Sequence, residues 1–135
     1  MAKDILVTES LSSSMMNAGA KLIERLDAKQ SEIKSAFWLY FSEDKTWKLI
    51  IASPLVDAIG PREFYKKVVD ANSLASEEED VISLNDVGVT NTSNQIVQLL
   101  KFAIGTGGGI SGIRFSRNTI NGHFIEDSYI YRSNL

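Results

Sequence analysis

Arg114, Asp127, Tyr129 and Tyr131 form the constellation in this chain with the strongest capacity for chemistry. Between them lies Asn121-Gly122, which reads as a two-residue type I′ turn because both positions need positive φ and Asn and Gly reach it cheaply. That turn sets a register in which Ile120 faces His123, Arg117 faces Glu126, Ser116 faces Asp127, Arg114 faces Tyr129 and Ile113 faces Ile130. Side chains alternate across a strand. One face of the hairpin therefore collects Ile113, Phe115, Phe124 and Ile130, and belongs to a core. The other collects Arg114, Ser116, Asn118, His123, Asp127, Tyr129 and Tyr131. On that face Arg114 lies diagonal to Asp127, within reach of a long side chain. An Arg–Asp pair flanked by tyrosines can bind an anionic or planar ligand. The competing account is an exposed cross-strand ion pair, worth about 0–1 kcal/mol. Arg117 and Glu126 fall on the core-side face near the turn, where a structural role is expected.

Other chemistry is poorly supported. Cysteine is absent, which removes disulfides, thiolate catalysis and cysteine-ligated zinc or iron–sulfur sites. His123 is the sole histidine, so a pair of histidine ligands cannot form and no metal site is expected. Next to the turn, it reads as a solvent-facing residue. A Ser-His-Asp triad within the hairpin fails on distance, since four positions of strand separate His123 from Asp127 by roughly 13 Å. The Gly105–Gly109 stretch follows a helix and precedes a strand, the reverse of a phosphate loop, and no Gly-Lys-Ser/Thr follows it. It is expected to be a flexible connection with the potential to act as a lid over the Arg114 face. No catalytic residue and no cofactor is expected.

The elements that must position this hairpin follow from periodicity. Leu11 to about Lys29 carries a helical stripe of Leu11, Met15, Ala18, Leu22 and Leu26, with Thr8 or Ser10 as its cap. Gly19 within it costs up to about 1 kcal/mol relative to Ala and so suggests close packing against another backbone. Ala36–Phe41 and Thr46–Ser53 read as a hairpin around Ser42-Glu43-Asp44-Lys45, pairing Tyr40 with Trp47, Trp38 with Leu49 and Phe37 with Ile50. Both of its faces are mainly apolar, which places it centrally in a sheet or in a dimer interface. Pro54 ends that hairpin. Gly60-Pro61 opens a short helix ending near Asn72. After the solvated acidic run Glu77–Asp80, Val81 to about Thr90 reads as a strand bulged at Gly88. Asn91-Thr92-Ser93 caps a helix that buries Ile96, Val97, Leu99, Leu100 and Ala103 and closes at Gly105. The order is α-β-β-α-β-α-β-β. It predicts one α+β domain over residues 1–135, with a roughly five-stranded, mainly antiparallel sheet and three helices mostly on one face.

At 135 residues and 14.9 kDa, with 44% apolar and 23% charged residues, the chain is long and apolar enough for an independent core. A net charge of −3 disfavours nucleic acid as a partner, single strands included. Neither a signal peptide nor a membrane span is read in the sequence, and a cytoplasmic location is expected. The segments Phe37–Tyr40, Trp47–Asp57, Gly60-Pro61 and Tyr129–Arg132 resemble small uncharacterised bacterial proteins over about half the chain. That resemblance implies a bacterial cytoplasmic protein and carries no activity. The leading expectation is a non-enzymatic interaction module, partnered by itself as a homodimer or by another protein. The alternative is a small-molecule or anion-binding domain, hydrolytic at most, using Arg114, Asp127 and Tyr129.

Overall fold

The computed structural model describes residues 3–5 and 10–135. Its elements in chain order are β1 (Lys3–Asp4), α1 (Ser13–Ala28), β2 (Ser35–Phe41), β3 (Thr46–Ala52), α2 (Leu55–Ile59), α3 (Pro61–Asn72), β4 (Asp80–Val81), β5 (Val87–Thr90), α4 (Gln95–Ala103), β6 (Ile113–Ile120) and β7 (His123–Ser133). A 3-10 turn, Leu84–Asp86, precedes β5. The fold is α+β. The main sheet has the order β5-β3-β2-β7-β6 and is mixed, because β5 runs parallel to β3 while the other neighbours are antiparallel. Strands β1 and β4 form a separate parallel pair.

Two hydrophobic clusters lie on opposite faces of the sheet. Helix α1 contributes Met15, Ala18, Leu22, Ile23 and Leu26 to the first, against Trp38, Leu49, Ile51 and Tyr131, with Phe64 and Val68 of α3 beside them. The second packs Val97 and Leu100 of α4 on Phe37, Leu39, Ile125 and Ile130. Three helices thus share one face and α4 covers the other, which the expectation of helices mostly on one side only partly anticipates. Both apolar faces of the β2–β3 hairpin are covered within the one chain: Phe37, Trp38, Leu49 and Ile51 are all fully buried. Their apolarity therefore asks for no second copy.

The pairings Tyr40–Trp47, Trp38–Leu49 and Phe37–Ile50 are those expected. Four local features differ. Helix α1 starts at Ser13, because the Ser12 hydroxyl accepts the Met15 amide at 3.1 Å and caps it. The expected cap Thr8 lies outside the described residues. Helix α2 was not anticipated, although Ser53-Pro54 carried its signal: the Ser53 hydroxyl accepts the Leu55 amide at 3.1 Å. The single strand expected over Val81–Thr90 is divided, since the Ser83 hydroxyl accepts the Asn85 amide and turns the chain into the 3-10 segment. Finally, α4 is capped by Asn94, whose side chain accepts the Ile96 and Val97 amides, and it ends in extended backbone at Ile104 with no left-handed glycine.

Gly19 packs against side chains. A Cβ there would lie 2.3 Å from the Tyr131 hydroxyl and 3.0 Å from Trp38 Nε1. The expected close approach exists, but the neighbours are aromatic rings rather than backbone.

Candidate functional site

The β6–β7 hairpin turns at Asn121-Gly122, both with positive φ, 49° and 83°. Its register is the one the turn dictates, from Ile120–His123 through Ser116–Asp127 to Ile113–Ile130. One rung is missing. Arg117 and Glu126 do not pair, because Arg117 has a φ of 51°, a left-handed conformation foreign to a strand. The register does not slip across the break, but the alternation of side chains does. Ile113, Phe115 and Ile130 pack in the α4-side cluster as expected, and beyond the break Ile120 and Ile125 join them. Phe124, expected in the core, is 62% exposed. His123, expected on the polar face, lies at the α4 side with Nε2 3.1 Å from Gln95 Nε2. The expected sorting of faces therefore holds only between Ile113 and Ser116 and on the strand opposite them.

On the face shared with α1, the registers align Leu49, Trp38, Tyr129 and Arg114 in a row across four strands. Helix cover fails at the outer end of that row. The Arg114 guanidinium grips Asp127 bidentately, with Nε–Oδ1 at 2.6 Å and Nη2–Oδ2 at 2.5 Å, and sits 5.6 Å from the Trp47 ring centroid. Its hydrogen bond to Asp127 raises the arginine's pKa further, against partial desolvation. Arg114 is 47% exposed, so the pair contributes about 0–1 kcal/mol; its larger effect is to hold both side chains still.

Next to this pair an open cleft of about 430 Å³ is lined by Tyr40, Trp47, Ser116, Arg117, Glu126 and Asp127. The Tyr40 and Trp47 rings lie 5.4 Å apart, tilted by 55°. Ordinary alternation would send Ser116 and Arg117 to opposite faces. The left-handed backbone at Arg117 brings both to the cleft. The expectation that Arg117 and Glu126 belong to the core side is thereby corrected: both are exposed, and neither forms an ion pair or side-chain hydrogen bond among the described residues.

Of the four expected site residues, Arg114 and Asp127 come together as foreseen. Tyr129 is half-buried beside them, and its hydroxyl end packs over Gly112, where a Cβ would displace it. Tyr131 is corrected: it is 2% exposed, under α1. Its hydroxyl accepts from Trp38 Nε1 at 2.9 Å and donates to the Met16 carbonyl at 2.6 Å. Burial drives its pKa well above the tyrosine range, so it works as a neutral core phenol.

The Gly-rich loop is no lid for this cleft. The Thr106 amide donates to the Ser133 carbonyl at 2.9 Å, Ser111 to Tyr131 at 2.7 Å, and Arg132 Nε to the Gly109 carbonyl at 3.2 Å. These bonds tie the segment to the far end of β7, and none of Gly105–Gly109 lines the cleft. Buried Arg132 also grips Asp27 at 2.9 and 2.7 Å and the Ile33 carbonyl at 3.1 Å, and is structural.

Among the described residues, no three His, Asp or Glu side chains cluster as a metal would require, and no helix is long and apolar enough to cross a membrane. Compared with known proteins, the chain matches no family model, no curated protein and no solved structure. The cleft has to be read from its own residues.

Sequence reasoning missed Arg117, Glu126, Ser116, Tyr40 and Trp47 as members of one site. The Tyr40–Trp47 pair carried a usable signal, standing at the loop end of its hairpin where helix cover ends. Arg117 carried none, since arginine is not a residue that favours left-handed backbone.

Proposed function

We propose that the chain is a non-enzymatic binding module of the bacterial cytoplasm, and that the cleft between Trp47 and Arg117 is where it engages its ligand or partner. The observation that carries this reading is the backbone of Arg117. A non-glycine residue held left-handed inside a strand costs on the order of 1–3 kcal/mol, and such strain concentrates where a side chain must be aimed. Here it aims Arg117 at a cleft that already holds the rigid Arg114–Asp127 pair and two aromatic rings. The volume is that of a small-molecule site, within the usual range of about 300–1,000 Å³. Thermal-shift measurements on wild type and Arg117→Asn, against a library of small charged and zwitterionic compounds, test it. Asparagine tolerates the left-handed conformation, so the variant keeps the backbone and loses the guanidinium. Compounds that stabilise wild type, lose that effect in the variant and are recovered unchanged support the reading. A ligand converted to product would refute the non-enzymatic part.

A second reading, self-association, is favoured by one observation: β6 ends the sheet, eight residues long, with its outer edge unpaired by any other strand among the described residues. Sedimentation equilibrium at micromolar concentration separates the two. A 14.9 kDa monomer removes the oligomer and leaves the cleft.

A further inference from the structure

The charges around the cleft are not equivalent. Arg114 and Asp127 neutralise each other through two hydrogen bonds, and Arg114 is further occupied over Trp47. Arg117 and Glu126 stand at facing positions on adjacent strands and form no ion pair among the described residues. Directly opposed residues of opposite charge ordinarily pair across strands. The break at Arg117 prevents it and leaves this cation and this anion unpaired among the described residues, both at the mouth of the same cleft.

Where β2 and β7 part beyond the Leu39–Ser128 pair, a second depression of about 330 Å³ on the α4 side shares Tyr40 and Glu126 with the first; it is lined by apolar Leu39, Phe41, Ile96, Phe124 and Ile125 and by the loop carboxylates Glu43 and Asp44. Phe124 is 62% exposed, so this groove offers apolar surface to a ligand.

We infer that the cleft recognises a free amino acid with a large apolar side chain. Its carboxylate meets the fork of donors on Arg117, its ammonium meets Glu126 and the face of Tyr40, and its side chain lies in the adjoining groove. A ligand with a single charge meets only one of Arg117 and Glu126, so the zwitterion gains a contact that either singly charged analogue lacks. This inference rests on the cleft being the binding surface.

Calorimetric titration of the full chain with L-phenylalanine, 3-phenylpropionate, phenethylamine and glycine tests it. These probes remove in turn the ammonium, the carboxylate and the side chain. L-Phenylalanine is expected to bind, and each of the other three to bind about tenfold or more weakly. Arg117→Asn and Glu126→Gln should each reduce the affinity for L-phenylalanine about tenfold, with melting temperatures near that of wild type. Glu126→Gln changes an exposed side chain, so it remains informative if Arg117→Asn does not fold. The inference is overturned if any analogue binds as tightly as L-phenylalanine, or if Glu126→Gln binds it as wild type does. It also fails by itself if none of the four binds while the compound library yields a ligand dependent on Arg117. If the library too is silent, the underlying reading of the cleft fails with it.

Discussion

Gly19 and Tyr131 share one packing position: a Cβ on residue 19 would lie 2.3 Å from the Tyr131 hydroxyl oxygen and 2.9 Å from Cζ. The glycine lets α1 close onto the sheet, and the phenol beneath it joins Trp38 of β2 to the Met16 carbonyl of α1.

Gly19→Ala should therefore destabilise the fold even though alanine favours a helix by about 1 kcal/mol. Overpacking at a filled core position costs about 1–3 kcal/mol, so after the helix gain denaturant unfolding should show a net loss of up to about 2 kcal/mol. Tyr131→Phe should itself lose about 1–3 kcal/mol by leaving the buried Trp38 N–H without its acceptor. In Gly19→Ala/Tyr131→Phe the loss should fall short of the sum by about 1 kcal/mol, because the clashing oxygen is gone. Strict additivity would show that the two residues do not meet.

Gly122→Ala should cost about 1 kcal/mol, because φ at this position is 83° and only glycine adopts it freely. A melting temperature equal to that of wild type would contradict the turn geometry, and with it the register of β6 against β7.

Asp86 provides a prediction about pH. Partial burial raises its pKa above 3.8, with Lys48 opposing the shift and Asp4 adding to it. A carboxyl that binds its proton more tightly when folded than when unfolded favours the fold at low pH. This contribution fades as pH rises from 3.8 through the folded-state pKa. Asp86→Asn should accordingly melt above wild type at pH 7, and the gap should close as pH falls toward 3. A variant that melts below wild type at pH 7 would show that the ionised carboxylate is stabilising.

Much of this fold could be read in the sequence because its local signals agree with one another. Asn121-Gly122 set the register of β6 against β7, and the loop at Ser42–Lys45 set that of β2 against β3. The stripe Met15, Ala18, Leu22, Leu26 marked the buried side of α1. The strand order could not be read, nor the parallel pairing of β5 with β3, because both depend on contacts between distant segments. The site was half legible. Arg114 and Asp127 followed from register and alternation. Alternation then failed at Arg117, where tertiary structure holds an arginine in a conformation its own propensity does not favour, and every face assignment beyond that residue changed with it. Tyr131 was misplaced for a related reason, since the pattern of a strand gives no account of which part of a face a helix will cover.

The central claim is that the open cleft at Ser116, Arg117, Glu126 and Asp127 is the working surface of this protein. Two-dimensional ¹H–¹⁵N spectra test it most directly, recorded while L-phenylalanine, 3-phenylpropionate and phenethylamine are titrated separately into the wild-type chain. The account predicts that at least one of the three moves the amide signals of those four residues and of Tyr40 most, at concentrations that leave the Gly105–Gly109 signals in place. Changes centred on exposed residues far from the cleft such as Leu74 would contradict it, as would unchanged spectra with all three compounds together with a silent compound library.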